Sequence, residues 1–181
     1  MEDNVLLSSQ KLSIILQRLA FQLYETHGNF NDTVLIGLQP RGVNFARMIW
    51  EKVSQISGNA TIPFGELDTT FHRDDFRRGE PLIPKSTKLD FLIEDKNVVL
   101  IDDVLYTGRS VRAAMDALTA YGRPTKVELL VLVDRRYSRE LPIEPDFVGS
   151  QVDTRANDKV KVNFDPLHQN NQVLLITDNE Q

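Results

Sequence analysis

A chain of 181 residues and 20.7 kDa with 41% hydrophobic content has enough apolar side chains to bury a core, and reads as one soluble domain over residues 1–181. Its 21 basic and 26 acidic residues leave a net charge of -5, which excludes a surface that grips nucleic acid everywhere and leaves room only for a local basic patch. With no cysteine there is no disulfide framework, thiolate metal site or cysteine nucleophile.

The acidic start Met1-Glu2-Asp3-Asn4 does not read as a secretory signal. No run approaches the roughly 20 apolar residues of a membrane span, so a cytoplasmic protein without a membrane partner is expected. Residues 10–27 place Leu12, Ile15, Leu16, Leu19 and Leu23 on one stripe, which predicts an amphipathic helix capped by Ser8 or Ser9 and ended by Gly28. The apolar run Val34 to Leu38 predicts a strand. Gln39-Pro40-Arg41-Gly42 then makes a tight loop into a second helix through Phe45, Met48, Ile49, Lys52, Val53 and Ile56. The polar stretch 71–97, broken by Gly79, Pro81 and Pro84, predicts a long flexible loop.

Val98-Val99-Leu100-Ile101 predicts a strand that stops at Asp102-Asp103; a loop over 104–108 leads to a third helix through Val111, Ala114, Met115 and Leu118, ending near Gly122. Another apolar run, Val127 to Val133, follows. Short strands are expected at 147–149, 159–164 and 173–176. Continuously apolar strands alternating with helices predict an α/β fold whose central, mainly parallel sheet is flanked by helices. Right-handed crossovers place the loops after the strands on one edge of that sheet.

The segment from Val98 to Ser110 carries the chemistry. A strand delivers two adjacent carboxylates, and a loop with Thr107, Gly108 and Ser110 opens a helix. Hydroxyls, a glycine allowing close backbone approach, and the unpaired N–H groups of a helix start all favour phosphate. Carboxylates cannot bind phosphate directly, but they accept hydrogen bonds from vicinal sugar hydroxyls and hold Mg²⁺. An isolated Asp-Asp is most often a solvated turn; the ordered combination points to a phosphorylated sugar. Elsewhere, Arg41 and Arg73 alone would pass for surface charges. His27, His72 and His168 are scattered without metal-ligand spacing and read as surface residues. Trp50 reads as core or subunit contact.

The motif resembles the phosphoribosyl pyrophosphate (PRPP) motif of type I phosphoribosyltransferases. Asp-Asp-Val-Leu-Tyr-Thr-Gly-Arg at 102–109 is similar to the branch whose members are uracil phosphoribosyltransferases and regulators of pyrimidine genes. Arg73-Asp74-Asp75, Gly122-Arg123-Pro124, Val131-Leu132-Val133-Asp134-Arg135 and Arg139-Glu140-Leu141-Pro142 also look like segments of that branch, in its order. The resemblance implies a type I phosphoribosyltransferase fold with a small hood from the terminal segments, and conversion of uracil and PRPP to UMP and pyrophosphate. It further implies that Asp102 and Asp103 hold the ribose hydroxyls and Mg²⁺, and that Val104, Leu105, Tyr106, Thr107, Gly108, Arg109 and Ser110 wrap the 5′-phosphate. Gln39, Pro40, Arg41 and Gly42 would meet pyrophosphate, with Arg73 on the loop that closes over PRPP. Asp134, Arg135 and Arg136 would lie beside the base. The implied assembly is a homo-oligomer, a dimer or higher.

The same resemblance carries a second reading, a UMP-dependent attenuator that binds pyrimidine leader RNA; a purine in place of uracil is a third. Gln17 and Phe21 stand where RNA-binding members carry residues suited to RNA. Arg136-Tyr137-Ser138 replaces their Gly-His pair with one residue more, although Arg135, Arg136 and Arg139 keep positive charge there. Pro40 also departs from the pattern: it removes an N–H that could bind pyrophosphate and lowers the cost of a cis bond after Gln39.

Overall fold

The computed structural model describes residues 2–74, 86–155, 157–165 and 170–177. Five strands form a parallel sheet in the order β3-β2-β4-β5-β6: β2 is Thr33–Leu38, β3 Phe64–Leu67, β4 Asn97–Leu105, β5 Lys126–Arg136 and β6 Phe147–Asp153. Strand β2 is buried along its whole length, as is most of β4, which is why both read as unbroken apolar runs rather than alternating ones. Helices α1 (Ser9–His27) and α2 (Gly42–Ser57) contribute Leu12, Leu16, Leu19, Leu23, Phe45, Ile49 and Val53 to one core, with Val99, Leu130 and Leu132 of the sheet. Helix α3 (Arg109–Leu118) brings Val111, Ala114, Ala117 and Leu118 to a second core with Val98, Leu100 and Val131. The sheet is thus covered on both faces.

The ends of α1 follow the chemistry read from the sequence. The Ser8 hydroxyl accepts from the Lys11 N–H, and Gly28 at φ 58° turns the chain back with its N–H on the Tyr24 carbonyl. Trp50 packs against the first core while its indole N–H donates to the Ile62 carbonyl at 2.9 Å. Three antiparallel strands, β1 (Glu2–Leu7), β8 (Gln172–Thr177) and β7 (Lys159–Asn163), form a separate small sheet in the order β1-β8-β7. Val173, Val160 and Val162 seat it on the core beside α1 and α2.

Several expectations change. Strand β4 does not stop at Asp102-Asp103 but continues to Leu105, because its partner β5 is long enough to keep the ladder, pairing Val104 with Val133 and Leu105 with Asp134. On its other side the pairing with β2 ends at Ile101, so β4 projects beyond β2 and opens a cleft. Strands β1 and β3 were not anticipated. Helix α3 ends at Leu118, four residues before Gly122, which has φ 132°. The expected loop 71–97 opens with a 3₁₀ turn over Thr70–His72, carries a bridge between Lys88 and Glu66, and buries Ile93; residues 75–85 of it lie outside the described residues.

His27 is not a surface residue. Its ring is buried between Phe30 and Phe147, with Nδ1 3.1 Å from the Thr33 hydroxyl and Nε2 3.2 Å from Glu128 Oε2. His72 is exposed, and His168 lies outside the described residues. Among the described residues, no helix is long and apolar enough to cross a membrane.

Candidate active site

Because β2, β4 and β5 run parallel, the segments that follow them meet at one edge of the sheet. Asp102 and Asp103 sit on β4, where the ladder fixes their backbone. The Asp103 N–H donates to Asp102 Oδ1 at 2.9 Å, and the Val104 N–H to Asp103 Oδ1 at 2.9 Å, which leaves each carboxyl a second oxygen. Burial, reinforced by the neighbouring charge of Asp103, pushes Asp102 well above the usual carboxylate range. Burial also raises Asp103, and a hydrogen bond between the two carboxyls favours a proton on Asp102. Two guanidinium groups oppose this: Arg73 favours the charged form of Asp102, and Arg41 that of Asp103. A buried acidic pair of this kind suits a diol or a divalent cation that would take the place of the proton. Among the described residues no group of three or more metal-ligating side chains exists, so a Mg²⁺ held here would complete its shell with water and substrate oxygens.

A cavity of about 390 Å³ opens beside Asp102, walled by Arg73, Glu140 and residues 104–111. Gly108, at φ 90°, ends the loop and starts α3, so the first N–H groups of the helix border the cavity. A Cβ on Gly108 would stand 3.1 Å from Ile143 Cδ1. The loop is held from behind, since the Glu140 and Leu141 N–H groups donate to the Thr107 carbonyl at 3.1 and 3.2 Å. Arg73 Nη1 donates to the Ser110 hydroxyl at 3.2 Å.

Gln39 and Pro40, joined by a cis bond, line a second cavity of about 490 Å³ with Glu66, Ser86 and Lys88. The Gln39 amide donates to the Ser86 carbonyl at 3.0 Å. Arg41 is exposed just before α2, and Gly42 packs directly on Asp102.

The three residues at the end of β5 part company. Asp134 and Arg136 line a third cavity, of about 800 Å³, with Arg139, Tyr137 and Gln151. Asp134 is buried and pairs with Arg139, and Arg136 pairs with Asp153 through bonds of 2.7 and 2.8 Å. Arg135 does not join them in that lining. Its guanidinium lies 3.9 Å over the Tyr106 ring and donates to the Thr154 hydroxyl at 3.0 Å and the Asp158 carbonyl at 2.9 Å. It therefore ties the loop after β4 to the turn that enters β7. Arg139, which pairs with Asp134, is read from the sequence only within a family segment and as basic charge after β5, and Glu140, which walls the smaller cavity, only within that segment. Their signal was the return of charged residues immediately after an apolar strand.

The phosphoribosyl transferase domain family matches residues 4–168. Solved structures agree on the fold: hypoxanthine phosphoribosyltransferase of Trypanosoma cruzi superposes with a TM-score of 0.70 at 14% identity, covering 94% of this chain and 95% of that one. A hypoxanthine phosphoribosyltransferase from Staphylococcus aureus gives 0.66 at 22% identity, covering 84% and 79%. A phosphoribosyltransferase domain with a cavity at its sheet edge is thus the class of protein defined by these strands and loops. Curated proteins narrow this. "Bifunctional protein PyrR" of Desulfosudis oleivorans is 47% identical over 157 residues, 86% of each chain, and that of Geobacter sulfurreducens 43% over 175 residues, 96% of this chain and 98% of the relative. PyrR of Bacillus subtilis is 42% identical over 175 residues, 94% and 95% of the two. The chain belongs to the PyrR family of phosphoribosyltransferases.

Proposed function

We propose that the protein transfers the phosphoribosyl group of PRPP to uracil, giving UMP and pyrophosphate. The observation that carries this is Asp102, one of a buried acidic pair with Asp103, lining the same cavity as the loop 104–110. In this reading the carboxyls accept the ribose hydroxyls, and the N–H groups of 107–110 with the hydroxyls of Thr107 and Ser110 bind the 5′-phosphate. N1 of uracil forms its bond to the anomeric carbon as the bond to pyrophosphate breaks, and the N1 proton leaves. Positive charge develops on the ribose beside Asp102 and Asp103, while the departing oxygens gather negative charge toward Arg41, Arg73 and the N–H groups of the 39–42 loop. Bound Mg²⁺, held by Asp102 and Asp103 with the substrate, would neutralise part of that leaving charge. The base would lie toward Asp134 and Arg136 at the end of β5, with Arg135 acting through Tyr106 rather than on the base. No protein nucleophile is needed.

Purified protein with PRPP, Mg²⁺ and uracil should release pyrophosphate and form UMP. Base-independent loss of PRPP, or none at all, would reject the reading; preference for hypoxanthine or guanine would replace uracil by a purine.

A second reading, UMP-dependent binding of pyrimidine leader RNA by a homo-oligomer, is supported by similarity to relatives named bifunctional. Arg135, Arg136 and Arg139 carry the local basic charge, but each already meets a carboxylate or carbonyl within the fold. A gel shift with the organism's own leader RNA across salt concentrations tests it, and retention that ignores UMP would defeat it.

A further inference from the structure

The side chain of Arg109, in the middle of the phosphate-side loop and helix start, is engaged by two carboxylates. Its Nε and Nη2 both lie 2.6 Å from Glu140 Oε2, and its Nη1 lies 2.8 Å from Asp74 Oδ2. One guanidinium therefore joins three segments that are far apart in the chain: the start of α3, the stem 70–74 beyond β3, and the return after β5. One turn along the same helix, Arg112 Nη2 donates to the His72 carbonyl at 3.1 Å and stands 3.9 Å from the Asp74 carboxylate. Between His72 and Asp74 is Arg73, whose Nη1 reaches Ser110 and whose charge acts on Asp102. On the other side, Glu140 is fixed to the loop through its own N–H on the Thr107 carbonyl.

We propose that Arg109 is a positioning residue: by bridging Asp74 and Glu140 it holds the stem against α3, and so sets Arg73 beside Asp102 and Ser110 at the mouth of the cavity. The inference rests on the phosphoribosyl-transfer reading for its kinetic consequence, though not for its structural one. A fork already shared by two carboxylates is a poor partner for a third anion, so the loop offers phosphate its N–H groups and hydroxyls while the arginine works on the stem. The pairs are only partly shielded from water, with 27% of the Arg109 side chain and 47% of that of Asp74 exposed, so they contribute little to global stability. Their effect is on the placement of a short, partly exposed segment.

The test combines kinetics with hydrogen exchange on wild type, Arg109→Gln, Arg109→Lys, Asp74→Asn, Glu140→Gln and the double variant Arg109→Gln/Asp74→Asn. Arg109→Gln should raise the KM for PRPP about tenfold with the KM for uracil little changed, and Asp74→Asn should reproduce part of that rise. The double variant should be no worse than Arg109→Gln alone, and Arg109→Lys, which keeps the charge but loses the fork, should recover part of the loss. In the ligand-free proteins, amides 70–74 should exchange faster in Arg109→Gln and Asp74→Asn at unchanged Tm. A full, additive effect of Arg109→Gln in the Asp74→Asn background would make Arg109 a direct phosphate ligand and overturn the proposal. Unchanged exchange over 70–74 would overturn it too. If wild type fails to consume PRPP, the reading of the activity falls, while the exchange measurement still decides whether Arg109 holds the stem.

Discussion

Gly42 lies so close to Asp102 that a Cβ built on it would stand 2.7 Å from the carboxylate Oδ1 and 2.9 Å from the Asp102 Cα. The Ile101 carbonyl would be at 2.8 Å. The loop after β2 and the acidic end of β4 therefore share a contact that only a hydrogen atom fits, and the spacing of the proposed pyrophosphate loop from the carboxyl pair depends on it. Gly42→Ala should displace Asp102, destabilise the fold by about 1–3 kcal/mol and reduce PRPP turnover. Denaturant unfolding alongside kinetics checks this; unchanged values in both would mean that the contact relaxes without cost.

Asp102 is raised by burial and by the charge of Asp103, so its folded state prefers the proton more than its unfolded state does. The stability this supplies is complete below the unfolded value and is lost as the pH rises through the folded one. At neutral pH the ligand-free protein consequently bears the cost of a crowded acidic pair. Asp102→Asn should raise Tm by about 2–4 °C at pH 7 and not at pH 3, while abolishing transfer. A variant less stable at pH 7 than wild type would contradict the assignment.

His27 behaves in the opposite sense. Burial lowers it below 6.5, partly offset by Glu128, while Lys126 adds to the lowering. Its neutral form belongs to the fold, so the associated stability is present above pH 6.5 and lost as the pH falls through the folded value. The groups around it are Thr33, Glu128 with its partner Lys126 at 2.6 Å, and the rings of Phe30 and Phe147. Urea unfolding at pH 7.5 and 5.5 should show a larger loss for wild type than for His27→Gln; equal losses would place the slope elsewhere.

Arg135 serves backbone carbonyls in the turn that precedes β7, at the cost of a desolvated charge. Replacing it by Met keeps the stem but leaves the Asp158 carbonyl unanswered, and should destabilise by about 1–3 kcal/mol. Hydrogen exchange should rise first in residues 153–160 and at Tyr106. Loss of protection confined to the opposite face of the sheet would refute this account of its role.

Local chemistry made much of the fold legible. Ser8, the leucine stripe and Gly28 define α1, and the apolar runs of β2, β4 and β5 announce a sheet covered on both sides. Strand β3, Phe-Gly-Glu-Leu, is only four residues long with a glycine in it, and β1 owes its existence to a partner at the other end of the chain; neither has a local period strong enough to read. Glu128 interrupts the apolar run of β5 because it meets His27 and Lys126, a pairing invisible without the fold. In the candidate site the loop between β4 and α3 was readable because its glycine turn and helix start are local features. The divergence of Arg135 from Asp134 and Arg136 was not, since which way a side chain turns at a strand end depends on Thr154, Asp158 and Tyr106.

Hydrogen-bonded neighbours in the small antiparallel sheet come from opposite ends of the polypeptide, with Glu2 beside Thr177. The first strand must therefore wait for residues 172–177 before it has a partner, so the parallel sheet, whose pairings span shorter stretches of chain, can form ahead of its small cover.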